Sequence, residues 1–355
     1  MSPSIRLCLP PVARHRLPRP PTARRYAVHA PAAPTMEVFS AHQKWLQKER
    51  AASDPLRSRR VDYLRDEVAS RLCERVLDIN RHFPAVLDLG AHACHLARML
   101  TLPSDDDPAK GPRGRRIGTL TASDSSRTLL YRDADLPFNQ QLSLVRDVLP
   151  ISEQLPYSPN TFDAVLSSLS LHWVNDLPSV LAQVNTLLKP DCPFLAVMLG
   201  GDSLYELRTS LQLAEQDRRG GVSIHTSPLA DVKDVGGLLQ KAGFTLLTVD
   251  VDDIVVDFPD VISLMKDLQA MGESNAVVTR EKGAIHRDVL LAAEPIYREL
   301  HGNQDGTLPA TFRLIYMIGW KPGPTQAKPV ERGTAMFSIK DYLEKNKNGG
   351  GEGKE

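Results

Sequence analysis

The stretch Ala85–Ala97, AVLDLGAHACHLA, decides how this chain is read. AVLDLG is a short apolar run that ends in an acid and a glycine, and CHLARML behind it has a helical pattern. A buried strand, a tight turn and a helix, in that order, open a nucleotide-binding α/β unit. Asp88 and Gly90 sit where such a turn needs them. His92 and Cys94 stand where residues without a bulky Cβ are expected, so the turn is a working ligand loop, a retuned one or a closed one.

Strands and helices alternate outward from this stretch. VDYLRDEVASRLCERVLDI, before it, spaces Val61, Leu64, Val68, Leu72 and Val76 as one apolar helical stripe. After it come GTLTASD ending in Asp124, LSLVRD ending in Asp147, FDAVLSSLSLHW, a helix in DLPSVLAQVNTLLKP stopped at Pro190, and the strand PFLAVMLGG. This alternation predicts βαβ units, a mainly parallel sheet and helices on both faces. The second half predicts a helix in LADVKDVGGLLQKAGF, one long strand or a strand pair in TLLTVDVDDIVVDF, helices in PDVISLMKDLQAMG and IHRDVLLAAEPIYREL, and a last strand in FRLIYMIGWKP. A late hairpin there would add an antiparallel strand to the parallel sheet.

Composition sets outer limits. No apolar run approaches the roughly 18 residues of a membrane-spanning helix. The charge is balanced at 43 basic against 43 acidic residues, but residues 1–35 hold six arginines and no acid. An arginine-rich, acid-free start predicts a mitochondrial transit peptide; a proline-rich tail is the plain alternative. The remainder is net negative, which makes it a poor nucleic-acid binder by bulk electrostatics. Cys73, Cys94 and Cys192 are scattered, with no disulfide framework and no CxxC, as suits a reducing compartment. The predicted organisation is a transit peptide at 1–35, a helical segment at 36–62, an α/β domain at 63–325 with a polar surface insertion at 103–118, and a glycine- and charge-rich disordered tail at 326–355.

Ligands of open α/β sheets bind beyond the carboxyl ends of the central strands. Asp88 and Gly90 close the first strand. Asp124 closes the second, where a carboxylate can accept from ribose hydroxyls. Asp147 closes the third and Val148 follows it, where an adenine amino group can be met. Ordinary strand-end turn chemistry is the competing reading of Asp124 and Asp147. This order, from about Tyr63 to Lys321, resembles the class I S-adenosylmethionine-dependent methyltransferase fold. The resemblance implies a Rossmann-like, mostly parallel seven-stranded sheet with helical additions. It also implies S-adenosylmethionine as cofactor, held at Asp88, Gly90, Asp124, Asp147 and Val148. The departures at His92 and Cys94 narrow or reshape its methionine end.

LHWVNDLPSVLAQVNTLLKP, GGDSLYELRTSLQLAE, SPLADVKDVGGLLQKAGF, DLQAMGESNAV and YMIGWK together resemble a family of mitochondrial methyltransferase-like proteins, the complex I assembly factors of the NADH dehydrogenase (ubiquinone) 1 alpha subcomplex assembly factor five type. The resemblance runs from Glu37 to Lys321. It implies a matrix protein, peripheral to the inner membrane and without a transmembrane span. It also implies work with other assembly factors, and hydroxylation of an arginine in the matrix-arm iron–sulfur subunit seven of complex I. Bacterial malonyl-carrier-protein methyltransferases share the fold and parts of LHWVNDLP.

A guanidinium suits planar, bidentate carboxylate partners and an aromatic face. Asp202 and Glu206 are four apart, on one face if GGDSLYELR is helical. Tyr205 and Trp173 can wall a guanidinium, and His172 can transfer a proton. The competing readings are a helix N-cap for Asp202, a pair with Arg208 for Glu206 and simple packing for His172. HRD at His286–Asp288 and HACH at His92–His95 spell weak metal patterns, and no metal ligand set is assigned. Besides the hydroxylase, two readings stay open: a methyltransferase on a small or carrier-linked acid, and a non-catalytic assembly chaperone with a closed cofactor loop.

Overall fold

The computed structural model describes residues 36–103, 111–281 and 283–326. The expected transit peptide, the tail beyond Gln326 and residues 104–110 of the expected insertion lie outside the described residues. The far end of that insertion is not surface loop. Residues 113–116 form a 3-10 turn, and Ile117 and Gly118 already belong to a strand. Arg113 is buried and donates to Ser70 Oγ at 2.9 Å, so its charge faces protein rather than water.

Seven strands form one sheet: β1 (Phe83–Leu89), β2 (Ile117–Asp124), β3 (Ser143–Val148), β4 (Ala164–Ser168), β5 (Pro193–Leu199), β6 (Thr245–Phe258) and β7 (Leu308–Trp320). Their order is β3-β2-β1-β4-β5-β7-β6. Six strands run in one direction, and β7, between β5 and β6, is antiparallel to both. β6 and β7 are not a hairpin: the helices α9 (Val261–Met271) and α10 (Arg287–His301) separate them, and the chain re-enters at Leu308 opposite Phe258, where β6 ended. TLLTVDVDDIVVDF is a single strand of 14 residues. This strand order with one reversed strand is the α/β architecture of class I S-adenosylmethionine-dependent methyltransferases.

Helices cover both faces, as parallel strands require. α3 (Tyr63–Asp78) buries Leu64, Val68, Leu72 and Val76 against one face, together with α4 (His95–Thr101), α7 (Tyr205–Arg219), α9 and α10. α6 (Leu177–Leu187) and α8 (Val232–Lys241) cover the other through Val180, Leu181, Val184, Val235 and Leu239. PFLAVML of β5, sandwiched between these layers, is buried at every residue. Local chemistry starts the helices: the side chains of Asp176 and Asp260 accept from the amides of Ser179 and Ser263.

Two further helices precede this unit, α1 (Ala41–Ser53) and α2 (Pro55–Arg60). α1 begins at Ser40, whose hydroxyl accepts from the Gln43 amide. The chain before it is strapped down. Asn175 Oδ1 accepts from the amides of Val38 and Phe39 at 2.9 and 2.8 Å, and Ser40 N and Val278 N bond across to Ala276 O and Val38 O. The strap brings α1 to the carboxyl edge of the sheet, where Lys48 and Glu49 contact β2 and the turn beyond it.

Candidate functional site

The carboxyl edge of the sheet has a closed half and an open half. In the closed half, β1 and β2 run in register, with Leu89 opposite Ser123, so Gly90 and Asp124 emerge side by side. Asp124 has a fully buried side chain and accepts four hydrogen bonds from three donors. Lys48 Nζ reaches its two oxygens at 2.8 and 3.1 Å, His92 N bonds at 3.2 Å and Ser126 N at 2.9 Å. A carboxylate offers about four lone-pair sites, so this one is full. Glu49, next to Lys48, holds Ser126 Oγ at 2.7 Å and Thr128 Oγ1 at 2.5 Å, which pins the short helix α5 (Arg127–Leu130) there.

The glycine loop keeps a glycine-like backbone without its glycines. Gly90, His92 and Cys94 all have φ between 52° and 76°, in the left-handed region. For the two residues with side chains this costs on the order of 1–3 kcal/mol each, so packing must hold them. Cys94 turns away, its Sγ 3.7 Å from Leu130 O, and burial pushes its thiol up to about 12. His92 turns into the cleft, and its Nε2 sits 3.1 Å from Leu169 O. Burial, then the charges of Arg65 and Lys48, hold the His92 ring well below the ordinary histidine range, so it is neutral. A Cβ on Gly90 would lie 2.0 Å from Ser170 Oγ, because the turn after β4 folds directly onto the loop. Asp88, behind the loop, is buried with both oxygens unpartnered among the described residues, and burial and then Asp124 raise it well above the carboxylate range. The space among Asp88, Gly90, His92, His95 and Ser168 has about 0 Å³ open to water.

The open half is a cavity of about 800 Å³ between α1, α7, α9 and the segment after α9. Glu273 is the charge centre of its inner wall. α9 ends at Gly272 (φ 75°), and this left-handed cap turns the next residue inward. Arg65 Nη2 meets Glu273 Oε1 at 2.6 Å, Lys44 Nζ meets Oε2 at 3.0 Å, and the Trp173 indole donates to Oε2 at 2.7 Å. Burial alone would raise Glu273, but Lys44, His172 and Arg65 hold it well below the usual range, so it is ionised. His172 Nε2 stands 3.5 Å from Glu273 Oε2, beyond a good hydrogen bond, and neither of its ring nitrogens has a partner among the described residues. Burial lowers its affinity for a proton.

The sequence-predicted residues divide accordingly. His172 and Trp173 line the cavity. Asp202, Tyr205 and Glu206 do not. α7 begins at Tyr205, so Asp202 lies outside the helix and neither caps it nor shares a face with Glu206. Asp202 instead pairs with Arg313, which also binds Asp253 at 2.9 Å. Glu206 is buried and accepts from the hydroxyl and amide of Thr311 on β7. Tyr205 is half-exposed, edge-on to His301. Asp147 accepts from Tyr157 OH at 2.9 Å, and Val148 is exposed at the strand end. The HACH side chains diverge: His95 Nδ1 turns to Asp66 at 2.8 Å, away from His92 and Cys94. His286 and Asp288 are 3.4 Å apart on the surface.

Residues 110–196 match the family described as "Methyltransferase domain". The chain is 47% identical over 306 residues to "Arginine-hydroxylase NDUFAF5, mitochondrial" of Danio rerio, covering 86% of this chain and 89% of that one. With the protein of the same name from Homo sapiens it shares 46% over 305 residues, 86% of this chain and 83% of that one. The chain belongs to the NDUFAF5 arginine-hydroxylase family. It is also 32% identical over 287 residues to a malonyl-[acyl-carrier protein] O-methyltransferase of Laribacter hongkongensis, covering 79% of this chain and 90% of that one.

The fold of this NDUFAF5-family chain implies S-adenosylmethionine, and the residues present do not leave its place open. Lys48 fills the carboxylate that ribose hydroxyls would use, and His92 and Ser170 fill the methionine end. Sequence reasoning missed the residues that matter most here: Lys44, Lys48, Arg65 and Glu273. Lys44 and Lys48, four apart with no acid on their face of α1, carried a weak signal. Glu273, one residue past a helix-ending glycine, carries no local signal of burial.

Proposed function

We propose that this protein hydroxylates an arginine of a partner protein, the matrix-arm iron–sulfur subunit seven of mitochondrial complex I, during assembly of that complex. Membership of the NDUFAF5 family carries the reading. The cavity supports it: an ionised, nine-tenths-buried carboxylate at the N–H edge of an indole whose face takes a cation is the environment a guanidinium takes. In this reading Glu273 and Trp173 orient the arginine, and the segment after α9 walls the cavity from water. His172, neutral and unpartnered, is placed to hold or receive a proton.

We place the protein in the mitochondrial matrix with other assembly factors, at the inner membrane surface. No helix among the described residues is long and apolar enough to cross a membrane. Contact with S-adenosylmethionine at Asp88, Gly90, Asp124, Asp147 and Val148 requires the closed half to open. That closed half favours a second reading, a non-catalytic assembly chaperone, over methyl transfer. Mass spectrometry of the complex I subunit from a knockout strain separates the readings. A lost single-oxygen mark, restored by the wild-type chain and not by Glu273→Gln, supports hydroxylation in this cavity. A subunit that keeps its mark in the knockout removes the hydroxylase reading, and a lost methyl group in its place means methyl transfer.

A further inference from the structure

The carboxylate of Glu273 already holds a buried cation that the chain itself supplies. Lys44 Nζ lies 3.3 Å from the centre of the Trp173 ring, 2.7 Å from Gly272 O and 3.0 Å from Glu273 Oε2. An indole face, a carboxylate and a helix-end carbonyl thus surround a single cation. The other carboxylate oxygen belongs to Arg65, which Met271 O also holds at 2.8 Å. Lys44 fits this place poorly. Burial pulls its ammonium down to about 7, against the attraction of Glu273. An ammonium is compact and strongly hydrated, whereas a guanidinium is planar, weakly hydrated and stacks on indole rings. Trp173, Glu273 and the unpartnered His172 all line the 800 Å³ cavity, so the place is continuous with a space that admits a side chain from outside.

Resting on the arginine reading above, we propose that Trp173, Glu273 and the Gly272 carbonyl form the seat of the substrate guanidinium, and that Lys44 occupies this seat while α1 is docked. The ligand is the arginine side chain of a protein segment. Lys44 and Lys48 stand one turn apart on α1, so the helix that vacates the seat also uncovers Asp124. By linkage, a ligand at either place strengthens binding at the other.

The test uses the full chain with N-acetyl-L-arginine methylamide as probe and the neutral citrulline counterpart as control, read by calorimetry and tryptophan fluorescence. Lys44→Met is expected to bind the arginine probe at least tenfold more tightly than the wild type. The citrulline compound is not bound, and the gain disappears in the Lys44→Met, Glu273→Gln double variant. A folded Lys44→Met protein that binds the probe no better than wild type, or takes the citrulline compound equally well, overturns the seat. If Lys44→Met does not fold, the wild type decides by hydrogen exchange: saturating probe should speed exchange of the amides of residues 41–53, and an unchanged rate overturns the proposal. The seat and the reaction fail separately. Probe binding with no oxygen mark on the target leaves the seat and removes the hydroxylase; an oxygen mark with no gain from Lys44→Met does the reverse.

Discussion

The closed and open halves of the cleft lie along one sheet edge, and the same helix treats them differently. Over β1 and β2, α1 delivers Lys48 to Asp124 and Glu49 to Ser126, while the turn after β4 presses Ser170 onto Gly90. Beyond β4, α1 delivers Lys44 to Glu273, and its Gln43, Gln47 and Arg50 line a cavity of about 800 Å³ that stays open. In both halves an internal cation stands on a buried carboxylate. A methyltransferase fold can therefore keep its architecture while the end beyond β1 and β2 is filled by protein and a cavity stays open next door.

The largest expected effect comes from breaking the closed half. Asp124→Ala leaves the Lys48 ammonium buried without its carboxylate, which costs about 3–5 kcal/mol. Chemical denaturation measures this, and a loss under 1 kcal/mol would mean Lys48 reaches water and the half is not closed. Lys48→Met with His92→Gly opens the same half from the other side. We expect S-adenosylhomocysteine affinity to rise at least tenfold by calorimetry; unchanged affinity would show that something else fills the cleft.

The two halves also differ in response to pH. Lys44 sits at about 7 in the folded chain against 10.5 unfolded, so between those values the unfolded state binds more protons and stability rises with pH. The wild type should gain up to about 1 kcal/mol per pH unit between pH 7 and 10 relative to Lys44→Met. Glu273, Lys48, Arg65 and His172 face Lys44. Of these, Glu273 and His172 are both held low, below this window. Parallel stability curves for the two proteins would refute the burial argument.

The smallest effects are expected away from both halves. Glu206→Gln weakens the bonds to Thr311 and should cost about 1–3 kcal/mol while sparing arginine modification in a complemented knockout. Asp202→Asn, at an exposed ion pair with Arg313, should change stability by less than about 1 kcal/mol. Loss of the target's oxygen mark in either variant would move the site toward α7.

Periodicity and strand-end residues made the architecture legible in the sequence. AVLDLG, the stripe from Leu64 to Val76 and the apolar PFLAVML specify strands and a helix wherever they pack, because backbone geometry fixes the spacing of their buried side chains. The single long β6 and the reversed β7 were only partly legible, since α9 and α10, not a local turn, set their pairing. The site was half legible. His172 and Trp173 follow directly from the end of β4. Glu206 carried the right chemistry in the wrong place, because a carboxylate's role depends on which partner its backbone brings within about 3 Å, and Thr311 is 105 residues away. The ion pairs of Lys48 with Asp124 and of Lys44 with Glu273 span 76 and 229 residues. By itself the sequence determined the sheet, its helical layers and the positions of the strand-end acids. Only the tertiary structure decided which acids were already taken, because α1 comes from outside the βαβ order and its lysines find their partners through space.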